Sequence, residues 1–193
     1  MIVSELGLKG ARPVTTPGSR DDVAKQAEEN GDDGQGNTCG IKMGSADASK
    51  YRAITARLNY LAQDRPELLY AAKECSRRMS APEEGDWIIL KRVGRYLVHS
   101  PRVVQMFRWQ EMPTKIDTHV DSDWAGCRRT CRSTSGGAMS LGMHMIKAWA
   151  STQATLALSS GEAELFALVK GSAASLGLIS LAYDLGYTFG APP

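Results

Sequence analysis

No cysteine framework runs through this chain: its four cysteines, Cys39, Cys75, Cys127 and Cys131, lie scattered over 193 residues. No secretory signal or long apolar run precedes them, so a reduced, intracellular setting without membrane contact is the simpler inference. Cys127 and Cys131, with His119 or His144 nearby, make a lone spacing without the paired pattern of a zinc site, which argues against zinc. Large apolar side chains are almost missing from residues 18–48, which are rich in Gly, Asp, Glu, Asn and Ser. Such a segment buries too little surface to offset the entropy of ordering and reads as a flexible linker. Net charge is low as well, at +2, but unevenly placed: Lys and Arg outnumber Asp and Glu by 15 to 10 over residues 51–133 and are outnumbered 8 to 6 over residues 1–50. A basic strip is what a polyanion selects, because neutralising phosphates releases counterions, and it is also what a solvated face carries.

The pattern changes at Tyr51. Tyr51, Ile54, Leu58 and Leu61 recur at three and four residues and mark one face of a helix. A second helix starts near Pro66, with Leu68, Leu69, Ala72, Cys75 and Met79 as its apolar stripe and Cys75 as a small core residue. A third opens on the capping pattern Ser80-Ala81-Pro82-Glu83 and buries Trp87, Leu90, Val93 and Leu97. Three short helices joined by brief turns predict an antiparallel helical unit. After Pro101 come short apolar or alternating runs, 103–109, 116–121, 137–141 and 145–150, which read as strands, with Gly136, Gly137 and Gly142 fitting a hairpin or meander. A long helix follows from about Ser160 to Leu185. Ser159 and Glu162 form its cap, and Gly186 supplies its stop.

Within this order, carboxylates at a strand end (Asp121, Asp123) precede carboxylates in a helix (Glu162, Glu164), an arrangement that suits a hard divalent cation. Glu162 and Glu164 point about 200° apart on a helix, and Glu162 belongs to the cap, so Glu164 is the one free to face the sheet. Asp123, two residues beyond Asp121 on the same face of a continuing strand, is a candidate outer-shell group. The plainer alternative is that an Asp ending a strand is a turn residue and that a first-turn Glu answers the helix dipole. Trp109, Trp124 and Trp149 near strand ends are core or rim packing more often than base-stacking platforms. Arg128, Arg129 and Arg132 follow Asp121 closely and can draw phosphate toward acids that otherwise repel it; Lys91, Arg92 and Arg95 add to the basic middle.

The words themselves carry a resemblance. Asp121-Ser122-Asp123-Trp124-Ala125-Gly126, Cys131-Arg132-Ser133-Thr134-Ser135-Gly136, Ala148-Trp149-Ala150-Ser151 and Ala157-Leu158-Ser159-Ser160-Gly161-Glu162-Ala163-Glu164 stand in one order. That order resembles the RNase H domain of copia-type long-terminal-repeat retrotransposon polyproteins. Upstream, Leu58-Asn59-Tyr60-Leu61, Arg65-Pro66-Glu67, Ser76-Arg77-Arg78-Met79-Ser80 and Leu90-Lys91-Arg92-Val93-Gly94-Arg95-Tyr96-Leu97 look like the stretch joining polymerase to RNase H in the same polyproteins. The resemblance covers residues 50–188.

It implies an α/β fold, an RNase H-like mixed sheet, incomplete, preceded by a small helical connection unit. The expected division is a tail and linker with the remnant of the polymerase end (1–48), a helical connection (49–100) and a partial RNase H-like domain (103–193). The parent reaction would be hydrolysis of the RNA strand of an RNA–DNA hybrid, with Asp121 and Glu164 as catalytic metal ligands for Mg²⁺ or Mn²⁺. Further implied partners are the rest of the Pol polyprotein and a second copy meeting an open sheet edge; the implied location is a cytoplasmic retroelement particle or the nucleus. Two departures limit activity. The family's third and fourth acidic ligands follow the long helix, and this chain has no acid after Asp184. The family's lysines are replaced at Ser151-Thr152-Gln153. The chain is therefore expected to show little turnover alone and to be read as a truncated piece, with a noncatalytic remnant that binds nucleic acid or protein as the alternative. No tandem-aspartate polymerase motif occurs.

Overall fold

The computed structural model describes residues 2–19, 40–127 and 130–189; most of the expected linker, and Arg128 and Arg129, lie outside the described residues. The chain divides into two compact units, Met1–Val104 and Gln105–Pro193.

In the first unit, α1 (Ile2–Glu5), α2 (Ser45–Asp64), α3 (Leu69–Ser76) and α4 (Trp87–His99) surround one core. The apolar stripe on α2 is the expected one, but the helix starts at Ser45 rather than Tyr51. Tyr51, Ile54 and Leu58 are fully buried and meet Leu68, Cys75, Leu90 and Val93. Each such aliphatic contributes roughly 1.5–3 kcal/mol by leaving water. Burial obliges the Tyr51 hydroxyl to find an acceptor, and it donates to the Cys75 carbonyl at 2.8 Å. Its ring meets Trp87 edge-on, with centroids 5.5 Å apart.

The third helix does not begin at the Ser80 pattern. Pro82 has no N–H to offer a helix, and its carbonyl accepts from Met43 N–H at 3.1 Å, while Lys42 and Glu83 form an antiparallel bridge that holds the chain extended. Only then does a short 3₁₀ turn, Glu84–Asp86, lead into α4. The cap is reciprocal: the Glu83 side chain accepts from Asp86 N–H, and the Oδ2 of buried Asp86 accepts from Glu83 N–H at 2.8 Å. Arg78 stands 3.6 Å from the same carboxylate, as a buried charge requires.

Residues 2–19 are docked on this core. Leu6 and Leu8 lie over Gly94, where an added Cβ would come within 2.5 Å of Leu8 Cδ1. Arg57 pairs with Glu5. Arg92 donates to the Thr16 carbonyl at 3.1 Å and to its hydroxyl at 2.7 Å, and Arg95 donates to the Arg12 carbonyl at 2.8 Å.

The second unit is a three-stranded meander, β1 (Ile116–Asp123), β2 (Thr134–Leu141) and β3 (His144–Thr152), followed by α5 (Ser160–Asp184). Both pairings are antiparallel, and Gly142 turns β2 into β3 at φ +57°. Among the described residues the sheet is thus the expected antiparallel meander, with no parallel strand beside it. The run 103–109 is not a strand. Its alternation finds no backbone partner, and the segment is held through side chains instead: Gln105 donates to the Met145 carbonyl at 3.1 Å and Gln110 to the Leu141 carbonyl at 2.9 Å. Val104, Met106, Phe107 and Trp109 remain exposed.

Helix α5 starts where its cap predicts. Ser159 Oγ accepts from Glu162 N–H at 3.1 Å, and Glu162 reaches back to Leu158 N–H at 2.7 Å. Small residues, Ala163, Ala167 and Gly171, bring the helix onto β1 and β2. A Cβ at position 171 would stand 2.5 Å from Val120 Cγ1, so glycine is required for the approach.

Two expectations follow. Gly171→Val should overpack this contact and cost the second unit about 2 kcal/mol, read as a lower urea midpoint for that unit with the first unit's transition unmoved; an unchanged midpoint contradicts it. Burial pushes the Cys75 thiol up to about 12 and raises the Tyr51 phenol as well. Both groups hold their protons more tightly folded than unfolded, so their contribution is complete below the ordinary thiol value of 9.0 and is lost as pH rises toward 12. The first unit's urea midpoint should fall progressively through that alkaline window, and a flat profile contradicts the assignment.

Candidate functional site

Thr118 and Val120 face α5. The Thr118 hydroxyl meets the Ser175 hydroxyl at 2.7 Å, and Val120 lies under Gly171. Strand residues alternate, so Asp121, with His119 and Asp123, belongs to the other face of β1 near its end, and all three are exposed. Glu164 does not face the sheet as expected: it is exposed in the first turns of α5, and the buried sheet-facing positions there are Ala163 and Ala167.

Gln153 links the sheet to the start of α5, while Asp121 lies on the face of β1 turned away from that helix. The buried Gln153 amide donates to Ser135 Oγ at 2.9 Å and to the Ala163 carbonyl at 2.8 Å. Ser135 pairs in register with Ser122, the neighbour of Asp121, and Ala163 precedes Glu164. One side chain therefore ties the end of β1, through β2, to the start of α5. Sequence reasoning noted Gln153 only as a departure from the family's lysines; a lone Gln after a strand carries no spacing signal of its own. Nearby, Lys170 bonds Ser151 Oγ, and its pKa is lowered by burial and then by Lys147.

Asp123 shares the exposed face of Asp121, yet its carboxylate is turned onto the following loop: a Cβ added at Gly126 would come within 2.0 Å of Asp123 Oδ2. Ala125 adopts φ +51°, and its N–H is taken by Ser133 Oγ at 3.1 Å. Asp123 thus serves the turn that closes β1.

These residues do not fit a resident Mg²⁺ cage. The ion demands about six oxygen ligands in octahedral order. Among the described residues no group of three or more Asp, Glu, His or Cys gathers where a metal could be held. Asp121 and Glu164 are two exposed carboxylates without a third. Cys127 Sγ accepts from Thr130 at 2.9 Å, and His144 Nδ1 lies 3.1 Å from Gln110 Nε2.

The basic residues separate into two groups. Arg92 and Arg95 are spent on the backbone of residues 12–16, and Lys91 borders an acidic pocket with Asp47 and Glu84. Arg132 is exposed beside the β1 turn, whereas Arg128 and Arg129 lie outside the described residues. The tryptophans divide likewise. Trp124 donates its indole N–H to the Ala157 carbonyl at 3.1 Å, and Trp149 lies against Gly137, where a Cβ would come within 2.1 Å of its ring. Trp109 alone of the three is almost fully exposed, at 86%.

No family model and no solved structure matches the chain. Curated relatives do. Over 192 residues, essentially the whole chain, it is 33% identical to the retrovirus-related Pol polyprotein from transposon RE1 of Arabidopsis thaliana, and over 147 residues, 76% of the chain, 35% identical to that from transposon RE2. An uncharacterized mitochondrial protein of the same plant is 38% identical over 122 residues, 63% of the chain. The chain spans 12% and 10% of the two polyproteins and half of the mitochondrial protein. These likenesses, together with the ordered words around Asp121 and Glu164, identify the chain as a member of the copia-type retrotransposon Pol polyprotein family.

Proposed function

We propose that residues 105–193 are the opening elements of an RNase H-like unit, and that this chain contributes hybrid binding to a Pol polyprotein without cutting the hybrid by itself. The observation that supports the reading is the strand, strand, strand, helix order, in which Gln153 bonds both Ser135 of β2 and Ala163 at the start of α5. The parent reaction in this reading is hydrolysis of the RNA strand of an RNA–DNA hybrid, with the rest of the polyprotein supplying what two carboxylates lack. Here the chain's own residues bind and orient. Arg132 beside the β1 turn offsets the repulsion that Asp121 and Asp123 exert on phosphate, and exposed Trp109 offers a ring face.

The noncatalytic alternative is supported for the isolated chain by the lack, among the described residues, of a third acidic, His or Cys ligand gathered with the two carboxylates. A labelled RNA–DNA hybrid separates the outcomes. Binding should be measurable, should weaken as salt rises, and should fall about tenfold in Arg132→Glu, with no cleavage in Mg²⁺ or Mn²⁺. Metal-dependent cutting abolished by Asp121→Asn and by Glu164→Gln would contradict the inactive reading. Absence of hybrid binding would contradict the binding one.

A further inference from the structure

Helix α5 has a second face that no described residue of its own unit covers. Ala163, Ala167, Gly171 and Ser175 turn toward the sheet. About half a turn away, Leu165, Val169, Ser172, Leu176, Ile179 and Tyr183 follow one another at alternating steps of four and three. That 3.5-residue repeat is the seam of a helix pair and differs from the four-residue step by which the same helix meets its sheet. The five large members of the stripe are exposed by 55, 59, 66, 43 and 71%. Only Glu162, Glu164, Lys170 and Asp184 carry charge among the 25 residues of α5, so the helix is apolar on nearly every side, and such a helix is normally buried on every side.

We propose that this stripe pairs α5 with α5 of a second copy of the chain. The step of the repeat calls for a helix as partner. Its own copy suits the charge pattern, because residues 171–183 carry no charge and self-pairing brings no like charges together. Among the described residues β1 is an edge strand; its Asp117 is paired with Lys115, but Asp121 and Asp123 stand exposed near its end, and two such edges would bring like charges together. The area is sufficient as well: with Leu168 alongside, the stripe leaves on the order of 600 Å² per chain, and a symmetric pair would bury on the order of 1,200 Å², the lower end of specific interfaces. Length and composition also suit α5 to a membrane, with a mean hydropathy of 1.7. Its seat on β1 through Gly171 and Ser175 and its 3.5-residue stripe favour a helix partner instead.

Sedimentation equilibrium of the full chain tests the proposal. The parent should form a two-chain species in the micromolar range. Leu176→Glu and Val169→Lys should each weaken the pair about a hundredfold, since each would bury an unpaired charge, with helical circular dichroism unchanged because both positions are exposed in the single chain. Leu158→Glu, exposed but off the stripe, should leave the pair intact. A parent that stays monomeric, or a dimer indifferent to both stripe variants, overturns the proposal. Flotation of a monomeric parent with phosphatidylcholine vesicles, lost in Leu176→Glu, overturns it in favour of a lipid surface.

Discussion

The second unit depends on how closely α5 can approach β1. Three small residues one turn apart, Ala163, Ala167 and Gly171, set that distance, and at the last of them the strand leaves no space for a Cβ. The helix ladder satisfies its own backbone, but its first turn would drift without a lateral tie, and Gln153 provides one by donating to both the sheet and the helix. Position of the carboxylates is therefore a property of packing: neither Asp121 nor Glu164 helps to hold the array together, so both remain exposed and available.

In the first unit the same economy is visible in the arginines. A row of basic side chains on α4 has the composition of a polyanion surface, yet Arg92 and Arg95 satisfy carbonyls of the docked segment 12–16. Guanidinium donors directed at backbone acceptors convert a stretch with little secondary structure into part of the fold. Beside the β1 turn, in contrast, Arg132 stays exposed.

Much of this was legible in sequence because it is local. The stripe of α2, the Ser159 cap with Glu162, the three strands and Cys75 as a core residue all follow from periodicity within a few turns. What escaped was long-range or competitive. The Ser80 capping pattern lost to Pro82, whose carbonyl accepts from Met43 N–H, and to Glu83, which is bridged to Lys42 in extended form. The alternating run 103–109 looked like a strand, but a strand requires a partner that alternation cannot report. Arg92 contacts a residue 76 positions away, a pairing that composition cannot show. Gln153 carries the site's geometry through two hydrogen bonds and has no periodic signature at all.

Asp121 and Glu164 are exposed carboxylates around which no further metal ligands gather among the described residues. Paramagnetic broadening of backbone amide resonances during a Mn²⁺ titration of the full chain tests this most directly. The account predicts only weak broadening at Asp121 and Glu164, appearing at millimolar metal and reversed by modest salt, as expected for exposed acids without further ligands. Sharp, joint broadening at both positions at micromolar Mn²⁺ would contradict it, for it would mean that these residues already form a cation site.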